Sequence, residues 1–163
     1  MDKAKTLLAL ATKITASSAE FQAVRGPGIG NKATNAFMKE LRERAKLEFG
    51  EDHSEKRLCG DNAFAVDFYF PEHGTIVEVG LGLPNPNTEF EKDILKSIMA
   101  QEQGHRVKTL FLISRAGAIK KCSQPGRSAM VKWARAKHDL DIQVHELPGE
   151  PRRRVRAGKG RKN

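Results

Sequence analysis

The sequence predicts an α/β (α+β) fold in which helices flank a central mixed β-sheet, and two observations lead to this prediction. Residues 64–83 contain two runs rich in β-branched and aromatic residues, separated by Pro71 and Gly74, which indicates an antiparallel hairpin. A helical pattern at 88–103 then separates the hairpin from a strongly apolar strand at 107–114. Since a crossover of this length joins parallel strands, we expect both parallel and antiparallel pairs in one sheet.

The other elements follow from hydrophobic periodicity and from the residues that cap or break helices. Helices are predicted at 3–23, 34–49, 88–103 and 126–138, and strands at 56–60, 64–70, 75–83, 107–114 and 141–147. Residues 115–125 are predicted to form a loop, and Trp133 is expected in the core. These elements form one domain over 1–148, with a core at 34–114, an added helix and strand at 126–147, and a tail at 149–163.

The tail carries most of the net positive charge of the chain. The chain has 163 residues and a formal charge of +9, of which the last fifteen residues contribute +6. Basic segments of this kind favour nucleic acid as a partner, because phosphate contacts release counterions. The alternative is a disordered, solubilising end.

A glycine-rich segment at 25–32 precedes the second predicted helix. It departs from the P-loop pattern, because Asn31 separates Gly30 from Lys32 and Ala33 follows the lysine. It also departs from the dinucleotide fingerprint, which needs a preceding strand, because the preceding residues are predicted to be helical. Backbone amides with Arg25 and Lys32 could instead meet a phosphate of a longer nucleic acid. A plain turn between helices is the alternative.

Cysteine content and hydropathy indicate the compartment. Cys59 and Cys122 are far apart in sequence and form neither a metal motif nor a disulfide framework, so a reducing cytosol is expected. No apolar run approaches the length of a membrane span, so no membrane association is expected.

Each strand of the predicted hairpin carries one acid within an apolar run, Asp67 in the first and Glu78 in the second. An ionised carboxylate is costly to bury unless something pairs with it. Two acids on adjacent antiparallel strands can point into one cleft and hold a divalent cation through oxygen ligands. The alternatives are an Asp67 paired with an arginine and a structural role for Glu78.

With Asp67 in the second strand and Ile76-Val-Glu-Val-Gly80 in the third, the chain resembles the PD-(D/E)XK nuclease superfamily over about residues 34–114. The family core is a helix, a three-stranded meander, a helix and a strand, so the resemblance implies a restriction-endonuclease-like core. In that family the metal-binding Asp lies in the second strand of the meander, and a Glu-x-Lys motif lies in the third. Asp67 and Glu78 match the two acids.

The chain departs from this pattern at Gly80, where the family usually has lysine. In some relatives a lysine from the following helix takes that role, which makes Lys92 and Lys96 the candidates, with Lys92 preferred. The family also often adds an acid from the first core helix, for which Glu40 is the candidate. Lys92 and Lys96 could instead belong to a solvated helix face together with Glu89 and Asp93.

The resemblance implies a Mg²⁺- or Mn²⁺-dependent endonuclease that hydrolyses DNA, with RNA left open as a substrate. Asp67, Glu78, the Val79 carbonyl and Glu40 would hold the metal, and a lysine would stabilise the attacking hydroxide. A DNA substrate implies association with the nucleoid, and such enzymes often form homodimers. The cations expected at phosphates are Arg25, Lys32, Lys120, Lys121, Arg127, Arg152, Arg153 and Arg154. The alternatives are a non-catalytic nucleic-acid-binding module that keeps the nuclease fold and a small RNA-binding protein that uses its tail.

Overall fold

Residues 1–18, 31–85 and 87–149 are described in the computed structural model of the protein. The helices are α1 (Lys3–Ser17), α2 (Asn31–Phe49), α3 (Glu89–Glu102), α4 (Ala118–Cys122) and α5 (Pro125–His138). The strands are β1 (Ser54–Lys56), β2 (Val66–Phe70), β3 (Thr75–Val79), β4 (Thr109–Ser114) and β5 (Asp141–Glu146). The predictions for the segment 25–30 and for the basic tail after Gly149 lie outside the described residues.

The five strands form one mixed sheet in the order β1-β2-β3-β4-β5. The pairs β1–β2 and β2–β3 are antiparallel, whereas β3–β4 and β4–β5 are parallel. Helix α3 connects β3 to β4, and α4 with α5 connects β4 to β5. The predicted mixed sheet with flanking helices is therefore confirmed.

Alternating side chains of the strands serve two separate cores, one on each face of the sheet. On β3, Val77 packs in the core that α1 and α2 cover, together with Leu7 and Leu41. The neighbouring Ile76 packs in the other core, with Phe90 of α3. Any polar residue that alternates in phase with Ile76 must therefore be accommodated beneath α3.

The structure corrects several of the predicted elements, among them helix α1, which ends at Ser17 rather than at residue 23. Strand β1 lies at Ser54–Lys56 rather than 56–60, and β3 ends at Val79 instead of continuing to residue 83. The predicted loop at 115–125 contains α4. This short helix begins where the Glu146 carboxylate accepts hydrogen bonds from the N–H groups of Gly117 (3.0 Å) and Ile119 (2.9 Å). Local sequence patterns do not reveal a cap supplied from β5.

Two large apolar residues on helices are exposed, and one of them, Trp133, was expected in the core. Trp133 leaves 47% of its surface accessible on α5, and its ring lies edge-on to His138 at 4.9 Å. Leu95 is 52% accessible on α3.

Among the described helices, none combines the length and the apolar character needed to cross a membrane.

Candidate active site

Asp67 and Glu78 lie side by side on the face of the sheet that α3 covers. The antiparallel register pairs Phe68 with Val77, which places Asp67 directly opposite Glu78. Their contacts agree with this register: the Asp67 N–H donates to Glu78 Oε2 at 3.3 Å, and the Val79 N–H donates to Asp67 Oδ2 at 2.8 Å. The predicted juxtaposition of the two acids on one face is present.

The two acids differ in exposure. Glu78 is only 3% accessible, because it alternates in phase with the buried Ile76 and is paired with Leu112 of β4 on the other side. The side chain of Asp67 is 26% accessible. The Glu78 carboxylate is therefore buried and the Asp67 carboxylate is partly exposed, so solvent reaches the pair from the side of Asp67.

Lys96 of α3 supplies the positive charge beside these acids. Its ammonium pairs with Glu78 Oε1, lies 3.2 Å from Asp93 Oδ1 and donates to the Ala65 carbonyl at 3.1 Å. Both Lys96 and Asp93 are buried, so the interpretation of these two residues as a solvated face is wrong. We call Asp67, Glu78, Asp93 and Lys96 the carboxylate cluster.

Lys92, the preferred candidate for the lysine role, lies elsewhere. It is exposed on α3, one turn before Lys96, and its ammonium lies 5.8 Å from the centre of the Phe64 ring. The structure brings Lys96, and not Lys92, to Glu78. The geometry therefore favours Lys96 for the role.

The electrostatics of the carboxylate cluster follow from two buried acids, Glu78 and Asp93, sharing the Lys96 ammonium. Burial, together with the neighbouring charges of Asp93 and Asp67, raises the pKa of Glu78 to about 9, and Lys96 offsets only part of this rise. Burial likewise raises the pKa of Asp93 to about 6. Burial disfavours the charged form of Lys96, but Glu78 and Asp93 outweigh it and raise its pKa. The ammonium thus stays charged and the acids retain protons to higher pH.

Gly80 stands two residues after Glu78, where the family pattern has lysine. A Cβ atom on Gly80 would lie 3.1 Å from the Leu83 Cγ atom, because the turn after β3 folds Leu83 back over it. The Gly80 carbonyl accepts from Ser114 Oγ at 2.5 Å, which fixes the backbone there. A buried leucine thus fills the space beside Gly80, and the ammonium arrives from α3 instead.

The first core helix contributes a cation rather than the expected acid. Glu40, the candidate metal ligand, pairs with Arg44 at 2.6 Å on the outer surface of α2 and does not join the carboxylate cluster. Arg42 instead places Nη2 3.9 Å from Asp67 Oδ1 and Nη1 3.1 Å from Glu55 Oε1. The alternative considered for Asp67, pairing with an arginine, is therefore partly realised.

Arg127 was expected at a phosphate, and the structure contradicts this. Its side chain is buried, and its Nη1 donates to the Leu83 carbonyl at 2.9 Å while Nη2 donates to the Asn87 carbonyl at 3.3 Å. Its guanidinium also lies over the Phe90 ring, 5.1 Å from the centre. Arg127 therefore fixes the turn between β3 and α3, because it satisfies carbonyls that helix and sheet leave unpaired.

Replacing Arg127 with methionine is expected to lower the free energy of unfolding by roughly 2–3 kcal/mol, since buried carbonyls lose charge-assisted donors. Urea denaturation measures this change. The matched control is Arg135→Met on the same helix, where the side chain is 62% accessible and pairs with Asp141. Equal effects of the two substitutions would contradict the assigned role.

The other predicted phosphate contacts are surface residues. Lys32 and Lys120 are exposed, and Lys121 is half-buried. Arg25, Arg152, Arg153 and Arg154 lie outside the described residues. Unlike the buried Arg127, Lys32 and Lys120 are therefore accessible to a phosphate from solvent.

The donors of the carboxylate cluster suit a hard divalent cation. Within the described ranges, no three His, Cys, Asp or Glu side chains converge as a ready-made metal site. Lys96 pairs with Glu78 Oε1, and Arg42 Nη2 lies 3.9 Å from Asp67 Oδ1, so a divalent cation would share these carboxylates with the two side chains. Carboxylate oxygens are the ligands that Mg²⁺ and Mn²⁺ take, and Asp67 and Glu78 could supply them.

Asp93 is the member of the carboxylate cluster that sequence reasoning missed. The signal was present, since Asp93 follows the buried Phe90 by three residues and thus falls on the apolar face of α3. A charged residue in a buried helical register needs a partner. Lys96, at the next i+3 position, provides it.

Comparisons of the chain with profiles of known protein families, with curated protein sequences and with solved structures find no match.

Proposed function

We propose that this protein is a metal-dependent endonuclease of the PD-(D/E)XK type, which hydrolyses phosphodiester bonds in DNA. The observation that carries the proposal is the placement of Asp67 and Glu78 on one face of adjacent strands, with the Lys96 ammonium on Glu78. Two acids and one lysine are the groups that the resemblance requires. The lysine missing at Gly80 has a replacement in the following helix.

The order of elements supports the same proposal. Helix α2 precedes the antiparallel meander β1–β2–β3, and α3 then crosses to the parallel strand β4. This order matches the restriction-endonuclease-like core that the resemblance implies. Helices α4 and α5 and strand β5 are additions to that core.

In this proposal Asp67, Glu78 and the Val79 carbonyl would hold the divalent cation, which would supply a bound water of lowered pKa and positive charge for the scissile phosphate. Lys96 places a fixed positive charge in a water-poor setting, where it stabilises the charge that develops on the phosphoryl oxygens. Asp93, 3.2 Å from the Lys96 ammonium, is its second carboxylate partner and helps to hold it beside Glu78. Arg42 limits the charge that Asp67 presents.

A second candidate is a nucleic-acid-binding module without catalysis. The observation in its favour is that Lys96 already neutralises Glu78 directly, so the pair persists without any other cation. In that case DNA binding remains and no bond is cleaved. Cleavage with added metal distinguishes the two functions.

The test is the cleavage of supercoiled DNA by the full chain with Mg²⁺ or Mn²⁺. We expect cleavage that stops with a chelator, and its loss in Asp67→Ala and Glu78→Ala, because each substitution removes one carboxylate ligand. The matched control is Glu40→Ala, which removes an acid outside the carboxylate cluster and should cleave normally. Undiminished cleavage by purified Asp67→Ala or Glu78→Ala would refute the assigned site, and DNA binding without cleavage by the wild type would support the second candidate.

A further inference from the structure

Phe64 is an exposed aromatic residue beside the carboxylate cluster. It leaves 36% of its surface accessible, and it directly precedes Ala65, whose carbonyl accepts from the Lys96 ammonium. Asp67 follows three residues after Phe64 along the same segment. The backbone of Phe64 thus lies next to the groups that are proposed to handle a phosphodiester.

The segment that carries Phe64 is held firmly in place. Asn62 Oδ1 accepts from the Phe64 N–H at 2.8 Å, and Asn62 Nδ2 donates to the Cys59 carbonyl at 2.7 Å. Cys59 Sγ in turn donates to the Lys96 carbonyl at 3.4 Å. Since the Lys96 ammonium binds the Ala65 carbonyl, both ends of the segment 59–65 are tied to the same residue, which fixes the backbone of Phe64 relative to the ammonium.

Lys92 adds a mobile positive charge to this ring. Its ammonium lies 5.8 Å from the centre of the Phe64 ring, and its side chain is exposed. A lysine has a long flexible stem, so its ammonium can leave the ring and pair with a phosphate on the same nucleotide. An exposed aromatic ring next to a lysine is the combination that binds unpaired bases in single-stranded nucleic acid, through stacking and charge.

We infer that Phe64 and Lys92 form a stacking platform for an unpaired nucleobase of the strand whose phosphodiester enters the carboxylate cluster. The inference rests on the proposed function for the identity of that strand, and it narrows the substrate to single-stranded nucleic acid or to a duplex with a displaced base. Every base has a π-face, so the platform binds without sequence preference. Other described exposed aromatics lack this setting: Trp133, on α5, contacts His138.

The experiment measures the fluorescence anisotropy of labelled oligothymidylate, with oligouridylate and a duplex in parallel, titrated with the full chain in a chelator. Because no metal is present, binding is measured apart from cleavage. Phe64→Ala is expected to weaken binding of the single strand about tenfold or more, as the loss of one stacked base does. Phe64→Leu keeps the apolar bulk and should weaken it similarly, whereas Phe64→Trp should restore it.

Trp133→Ala is the matched control, since it removes an exposed aromatic on α5, away from the loop that carries Phe64, and should bind as the wild type does. Four results would overturn the inference. They are an unchanged affinity of Phe64→Ala for the single strand, an equal loss of its affinity for the duplex, an equal loss of single-strand affinity in Trp133→Ala, and the absence of single-strand binding by the wild type. If single-strand binding depends on Phe64 but added Mn²⁺ produces no cleavage, the platform stands and the nuclease proposal fails. If Mn²⁺ produces cleavage that Phe64→Ala leaves unchanged, the nuclease proposal stands and the platform fails.

Discussion

Replacing Lys96 with methionine is expected to lower the free energy of unfolding by about 3–5 kcal/mol near neutral pH, because Glu78 and Asp93 then remain buried without their shared cation. Both carboxyls are less than a tenth accessible, so solvent screens little of this loss. The penalty should shrink at acidic pH, where Asp93, whose pKa is raised to about 6, takes up its proton. Urea denaturation at several pH values measures the change and its pH dependence.

Lys92→Met is the matched control for this substitution. It removes the same charge from the same helix at an exposed position, and a surface change of this kind stays within about 0.5 kcal/mol. The double variant Lys96→Met with Glu78→Gln should recover part of the loss, because both members of the pair are gone. If the two lysine variants lost the same stability, Lys96 would not be the counter-ion of the carboxylate cluster.

Glu78→Gln is expected to make the protein more stable than the wild type at alkaline pH, by about 1–2 kcal/mol, although it removes a proposed metal ligand. In the folded state the pKa of Glu78 is raised to about 9 from 4.5, and that of Asp93 to about 6 from 3.8. A raised acid pKa means that the folded protein binds the proton more tightly than the unfolded chain. The stability from these acids is therefore complete below about pH 4 and is lost as the pH rises through 6 toward 9.

Lys96 does not alter this trend, because its raised pKa affects stability only above its usual value of 10.5. Urea denaturation from pH 5 to pH 9 should thus show a declining free energy of unfolding in the wild type and a flatter profile in Glu78→Gln. The control is Glu43→Gln, an exposed acid on α2 whose profile should follow the wild type. A Glu78→Gln profile as steep as that of the wild type would show that Glu78 does not hold its proton in this pH range.

The sequence was sufficient to predict the sheet and the pair of acids because both follow from short-range alternation. Two runs of β-branched and aromatic residues around Pro71 and Gly74 define the hairpin. With Asp67 and Glu78 at symmetric distances from that turn, antiparallel pairing alone places them opposite each other. Thus the hairpin required no information from the rest of the chain.

The groups around the acids depend on tertiary contacts that a periodic pattern does not contain. Helix α3 has charges on two sides, and only docking on the sheet shows that Lys96 is buried while Lys92 is exposed. Arg127 looked like one of several surface cations, yet the carbonyls of a distant turn bring it inside. In both cases a buried polar partner elsewhere in the chain overrides the usual preference of charged side chains for water.

The distance in sequence between Glu78 and Lys96 has a consequence for biosynthesis. Because Leu83 occupies the space beside Gly80, the neutralising ammonium comes from a helix that is translated after the hairpin. A nascent chain that ends before α3 carries Asp67 and Glu78 face to face with no cation from that helix. The hairpin therefore gains its full stability only when the crossover helix docks, which couples closure of the sheet to assembly of the carboxylate cluster in a single cooperative event.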